Sequence, residues 1–507
     1  MQQQLNLSRR GFLTAGAVAL GASALAACGS SKSSATKTAT KTKVRVAAAD
    51  TTGSTGLDIR TMGYGASYVV MYHLFDSLAY LSTKGYDLGL ATAITPNADA
   101  TTWTIKITDK AKFHDGRPVR ASDVAYTFTT LASDKSNRAS VYRVIDTAKM
   151  TTPDDTTIVV PLKAARGDFA ESVIAVFSPI VPAATTDFTK GIGSGPYKLA
   201  GQNSTTISLV RNDAYWGAKP TVDAIDIIRI ADPAGRLSAV KSGQADYAVS
   251  ISAVGAKASA ADKSVDIIRG GAANSQALSF AMNSTLAPFD DPRVRQAVRL
   301  AADRSALITG ALLGLGTEGD DVIGKGLAGY DDSLVQRNQD IAQAKSLFAA
   351  AGVTSLTLDT AELVPGMTNA ARLLAQQLSA AGVTLKLNQI PPQAYYADLS
   401  ALAKRPFQAF YYVNRPIAVH LAAVTSPGST FNVTGLAQAW WTKLATAQAE
   451  PDSGKRETMF VDLQKYLYES GGDLIWGFQE ELDVARPGLG GIQTVQSTPV
   501  FRTATVA

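Results

Sequence analysis

Residues 112–124, KFHDGRPVRASDV, place His114 and Asp115 side by side, with Arg117 and Asp123 close behind. An imidazole beside a carboxylate is the start of a general-base arrangement, which also needs a nucleophile and a group to orient the base. The chain offers few partners for one. Its histidines are His73, His114 and His420, its single cysteine is Cys28, and neither Gly-x-Ser-x-Gly nor His-Glu-x-x-His occurs. Asp115-Gly116 is instead a strong turn signal, because Gly reaches positive φ freely and Asp bonds nearby amides. Pro118 stiffens the exit, and Ser122 and Asp123 suit a helix start, where free amides face outward. The stretch is therefore expected to hold a turn, with His114 structural and no catalytic residue. Scattered histidines and one cysteine also give no metal site, and no cofactor is expected.

Cys28 has a different chemistry. Arg9 and Arg10 precede a charge-free run from Gly11 to Ala27, short for a membrane span and ending in small residues. Residues 1–27 read as an export signal. Ser8-Arg9-Arg10-Gly11-Phe12-Leu13 resembles a twin-arginine signal, with Thr14 where a Lys is common. Leu25-Ala26-Ala27-Cys28 resembles the lipobox of bacterial lipoproteins, which implies that Cys28 is diacylated and anchors the chain to the outer face of the cytoplasmic membrane. Residues 28–43 follow as a flexible Ser/Thr/Lys tether.

Residues 1–43 carry six basic side chains and no acid. Removing those six from 48 basic residues leaves 42, against 43 acidic ones. The folded part is near neutral, which argues against a nucleic-acid partner. With one cysteine it has no internal disulfide, so its core alone must hold it.

Strand signals stand at 44–49 (VRVAAA), 103–107 (WTIKI), 156–162 (TTIVVPL), 207–212 (ISLVRN) and 225–230 (IDIIRI). DDPRVRQAVRLAADRSALI opens a helix at Asp290 and Asp291 with Pro292 in the first turn, and puts Val294, Ala297, Val298 and Ala301 on one face. DIAQAKSLFAAAGV starts at Asp340 and stops at Gly352. TNAARLLAQQLSAAGVTLKLNQI gives another helix, a stop at Gly382 and a strand from Val383. Two successive helix-Gly-strand units favour an α/β fold, and about 460 structured residues favour more than one lobe.

Several longer segments resemble the family 5 extracellular solute-binding proteins of bacterial ABC importers, the peptide and nickel type. They are TWTIKITDKAKFHDGRPVRASDVAYTF (102–128), GSGPYKL (193–199), LVRNDAYWG (209–217), LSAVKSGQADYA (237–248), FAMNSTLAPFDDPRVRQAVRLAADRSAL (280–307) and STFNVTGL (429–436). The resemblance implies a two-lobed periplasmic-binding-protein-like (type II) fold with an extra subdomain inserted in the first lobe. The expected boundaries are 44–80, 190–278 and 486–507 for the first lobe, 81–189 for the subdomain and 279–485 for the second lobe. It also implies a monomer that captures a peptide or similar small polar solute and delivers it to ABC permease subunits. A cell-surface sensor, or a carrier of an opine, sugar or metal chelate, would use the same cleft.

Peptide carriers of this family usually hold the ligand's free amine with an Asp in a segment resembling Gly-Trp-x-x-Asp. The matching region, 405–424, has no acid, and none occurs between Asp398 and Glu450. Arg415 stands there instead, either as a fork for a carboxylate or phosphate or as a surface charge before Pro416. Tyr411, Tyr412 and Asn414 are candidate cleft residues, of which strand alternation lets about half face inward. Gly63, Tyr64 and Gly65 could bring backbone close to a ligand. Trp476 and Phe478 could stack on ligand or fill core.

Overall fold

The computed structural model describes residues 42–49, 57–61, 65–176, 178–424, 429 and 431–506. Cys28, Gly63 and Tyr64 lie outside the described residues.

The five strand-like runs form strands Lys43–Ala48, Thr102–Ile107, Thr157–Pro161, Thr206–Arg211 and Ala224–Arg229. Three of them enter a seven-stranded sheet in the order Asp266–Arg269, Leu482–Ala485, Tyr247–Ala248, Lys43–Ala48, Ala224–Arg229, Thr206–Arg211, Tyr197–Gln202. Lys43–Ala48 pairs in parallel with both neighbours. Its Val44 and Val46 face one apolar cluster and Ala47 another, all with no exposed area. A parallel central strand is covered on both faces, and each such Val contributes about 1.5–3 kcal/mol over an exposed one.

Thr102–Ile107 and Thr157–Pro161 go instead to a four-stranded antiparallel sheet, edged by Ala91–Pro96 and Thr151–Asp154. Its Trp103, Ile105, Ile158 and Val160 share one apolar cluster with helix Ala121–Ala132 and with Val44 and Val46. This sheet extends the first lobe's core rather than building a separate one.

The second large sheet runs Gly316–Glu318, Asp473–Glu480, Ser275–Met282, Phe407–Val413, Ser355–Thr360, Thr384–Gln389. Helix Met367–Ala380 joins the last two strands, which pair in parallel. Alternation divides this lobe's interior in two. Leu278, Phe280, Phe407 and Ala409 belong to one cluster, Ala277, Ala281, Phe410 and Tyr412 to the other.

The segment after Asp290 forms two helices rather than one, Pro292–Ala301 and Arg304–Leu312. Each has its own cap: Asp291 accepts from the Arg293 N–H and Asp303 from the Ala306 N–H. Val294, Ala297, Val298 and Ala301 are fully buried, as the periodicity predicts.

Two chain segments pass between the large sheets. One leads from Arg269 to Ser275, the other from Glu480 to Leu482. They bond to each other on the way: the Gly270 N–H donates to Glu481 O and the Glu481 N–H to Asn274 O, both at 2.9 Å. Sheet membership thus changes at 270–274 and at Glu481. The C-terminal hairpin, Gln493–Val495 with Thr498–Val500, returns to the first lobe, where the Phe501 N–H donates to His73 Nε2 at 2.9 Å.

Candidate functional site

The HDG turn is a clamp. The Gly193 N–H donates to His114 Nδ1 at 3.3 Å, and His114 Nε2 donates to Gly195 O at 3.1 Å, which fixes a neutral imidazole. Burial pushes its pKa down to about 4. His114 thereby ties the turn to the GSGPYKL segment. Asp123 closes a capping box with the Arg120 N–H at 2.8 Å and takes the Ala183 N–H at 2.7 Å. Asp115 pairs with exposed Arg117. Every member of the group thus has a structural partner, and the turn holds no nucleophile.

The chemistry of the molecule lies at the crossing instead. A cavity of about 330 Å³ opens between the lobes. The first lobe contributes Ala49, Gly65, Val69, Arg236, Val249 and Ser250. The crossing strands contribute Ser275, Gln276 and Glu481, the second lobe Tyr411 and Val413, and the C-terminal hairpin Ser497 to Pro499. A smaller cavity of about 70 Å³ shares Val413 and Ser497 with it and is lined by Asn414, Arg415, Ser82, Thr83 and Gln496. Together they form one cleft.

Strain collects here. Ser250, Gln496 and Ser497 all adopt positive φ, between 48° and 60°. Such angles cost energy for residues with a side chain and are concentrated at functional positions. Gln496 and Ser497 form the two-residue hairpin turn between Val495 and Thr498. Ser250 uses its N–H for Asp483 Oδ1 at 2.8 Å and its hydroxyl for Glu481 Oε1.

The electrostatics are uneven. Arg236 donates to four main-chain carbonyls, those of Val249 (2.7 Å), Ile230 (3.0 Å), Ala231 (2.8 Å) and Ser250. Asp483 accepts from Tyr247 Oη at 2.5 Å as well as from Ser250, and burial pushes its pKa up to about 6. Glu480 makes a two-pronged pair with Arg269, at 2.7 and 2.9 Å. Glu481 has no such cation among the described residues. Burial, reinforced by the nearby Asp483, pushes its carboxyl up to about 8.

The sequence candidates divide. Gly65 and Tyr411 line the larger cavity and Arg415 the smaller one. Gly65 is held at φ 75°, and a Cβ there would lie 2.3 Å from Ala49 O, so the close approach is to Ala49. Asn414 borders the small cavity, yet its side chain joins backbone to backbone. It accepts from the Gly324 N–H at 2.8 Å and donates to Ala272 O at 2.6 Å and Lys325 O at 2.9 Å. Tyr412 points the other way, into the core, with its hydroxyl on Asp473 Oδ1 at 3.2 Å.

Trp476 and Phe478 are core residues with no exposed area. Spacing of two suggests a shared face, but they fall in different clusters, Trp476 stacking on Phe280. The reason is a bulge: Leu278 pairs with Gly477 and Ser279 with Ile475, leaving Trp476 as the extra residue. Arg236, Ser250, Gln276 and Glu481 were missed by the sequence reading. The signal available was the Glu480-Glu481 pair closing an apolar strand.

The family model for bacterial extracellular solute-binding proteins, family 5 Middle, matches residues 86–412. The glutathione-binding protein GsiB of Pectobacterium atrosepticum is 25% identical over 414 residues, 77% of this chain and 79% of that one. GsiB of Shigella boydii is 30% identical over 272 residues, which span about half (52%) of each protein. The ABC transporter substrate-binding protein CtaP of Listeria monocytogenes superposes with a TM-score of 0.80 at 19% identity, over 92% of this chain and 99% of that one. These matches describe binding proteins, not enzymes. The family model spans more than half of the sequence, and the two-lobed fold with its interlobe cleft agrees with it: the chain belongs to the bacterial extracellular solute-binding proteins, family 5.

Proposed function

We propose that this protein captures a peptide or similar small polar solute between its lobes and hands it to an ABC permease. One observation carries the reading: a cavity of about 330 Å³ is walled by both lobes at the strands that join them. A solute touching both walls favours the closed arrangement in proportion to its differential affinity for it. The relatives named for glutathione, itself a tripeptide, support a short peptide as the cargo. The Arg9-Arg10 signal and the lipobox at Cys28 support export, by the twin-arginine route, and a diacylated anchor at the outer face of the cytoplasmic membrane. Among the described residues no helix is long and apolar enough to cross a membrane. The working form is a monomer.

Thermal unfolding tests this directly. The chain from Gly29 onward is stripped of bound solute by unfolding and refolding, then scanned with glutathione and with a pool of di- to pentapeptides. A solute at a hundred times its dissociation constant stabilises by about 2.7 kcal/mol. A rise in Tm with either addition is expected. A well-refolded protein that ignores both would remove peptides as the cargo.

A further inference from the structure

Glu481 stands out among the acids of the crossing. Glu480 has Arg269, and Asp483 has Tyr247 and the Ser250 amide. Among the described residues Glu481 has the Ser250 hydroxyl as its side-chain hydrogen-bond partner, and it lines the cavity. Arg236, the cation on that wall, spends its donors on four backbone carbonyls. Arg236 acts on Glu481 only through space, and Asp483 lies close as well, so two acids and one cation meet at this wall, with no direct ion pair to Glu481 among the described residues.

A second, independent observation points the same way. Gln276 lines the same cavity, and its side-chain oxygen is buried with no hydrogen-bond donor among the described residues. Buried acceptors are ordinarily satisfied. The wall thus holds an acid with no ion pair of its own and an amide whose oxygen lacks a donor, on residues that border one space. Ser250, which holds Glu481 in place, does so from a strained backbone conformation (φ 58°).

We propose that the larger cavity is a cation site, in which Glu481 and Gln276 receive an ammonium group of the solute. This rests on the solute-capture reading above and deepens it: the free amine of a peptide would be held at the lobe crossing and not in the 405–424 segment, which carries no acid. Because Glu481 holds its proton up to a pH of about 8 when alone, seating an ammonium there at neutral pH expels close to one proton.

The test uses matched probes on the purified, ligand-stripped protein by isothermal titration: tri-alanine, N-acetyl-tri-alanine and the bare diamine putrescine. Wild type should bind tri-alanine at least tenfold more tightly than its acetylated form, the scale of a lost charge-assisted hydrogen bond. Glu481→Gln, which keeps the shape of the side chain, should erase that preference. Equal binding of both peptides, or an unchanged preference in the variant, overturns the site. If neither peptide binds but putrescine binds wild type and not Glu481→Gln, the peptide reading fails while the cation site stands. If no probe separates wild type from the variant, the cation site falls. Should the variant fail to fold, proton release decides. Wild-type binding of tri-alanine or putrescine near pH 7 must show a buffer-dependent heat of about one proton, and its absence overturns the proposal.

Discussion

Glu481 illustrates how a single side chain sets a measurable linkage. Its neighbours are Asp483 in the strand that follows it, Tyr247 beyond that, Arg236 from helix Pro233–Lys241 and the Ser250 hydroxyl. In the unfolded chain a Glu releases its proton near pH 4.3, whereas here it does so at about 8. Between those values the folded state holds more protons, so stability falls as pH rises. Asp483, at about 6, adds a slope of the same sign at lower pH. The buried imidazoles of His73 and His420, pushed down to about 3, act oppositely: stability is lost as pH falls below about 6.5. These contributions are common to wild type and Glu481→Gln. The expected outcome is therefore a difference: ligand-free wild type loses a few kcal/mol relative to Glu481→Gln between pH 5 and pH 8. Urea unfolding of both proteins across that range measures it, and parallel curves would show that Glu481 ionises normally.

At the level of elements, the second lobe is pinned by one buried carboxylate. Asp321 meets Arg304 at 2.6 Å and Arg337 at 3.1 Å, with Arg299 at 3.8 Å. Arg299 lies in the last turn of one helix and Arg304 starts the next, so Asp321 fixes the break that the sequence pattern did not reveal. Removing one member of a buried ion group strands the others and costs about 3–5 kcal/mol. Asp321→Ala should lower the stability of the second lobe by that much in urea unfolding, and a loss under 1 kcal/mol would mean water already reaches the arginines. The legible parts of the fold were those set by local pattern: the central strand 43–48, the Gly352 and Gly382 stops, the buried face of the first helix. What escaped depends on contacts distant in sequence. Periodicity could not show the bulge that turns Trp476 away from Phe478, nor that Asn414 would be spent on Ala272 and Lys325. The cleft was half legible for the same reason. Tyr411 and Arg415 lie in the region where a family motif is expected and its acid is missing, whereas Glu481 reaches the cavity only because two crossing strands bond together around it.

Across the whole molecule, capture requires the lobes to move, and the contacts between them set what that movement costs. Apart from the crossing strands, the contacts between them include the Gly167 N–H donating to Gln448 O at 2.6 Å, Lys257 Nζ donating to Leu313 O at 3.1 Å, and Arg456 lying 3.6 Å from Glu171. Val419, from helix Ile417–Val424 of the second lobe, packs into the first lobe's apolar cluster. Contacts of this kind, joining one lobe to the other, are made when the lobes are together and lost when they part. Gly167 is the sensitive point, since a Cβ there would stand 1.9 Å from Glu450 O and something must shift. Gly167→Ala therefore taxes the closed state alone and leaves each lobe's core intact. A penalty of about 1.4 kcal/mol shifts the open–closed equilibrium tenfold, and affinity for any solute that needs closure weakens by up to that factor, reaching it in full where the open form dominates beforehand. Small-angle scattering of the ligand-free variant should show a larger radius of gyration than wild type, returning toward the wild-type value at saturating solute. An unchanged radius together with unchanged affinity would mean that the 167–448 contact is indifferent to lobe position, and that the crossing strands alone govern closure.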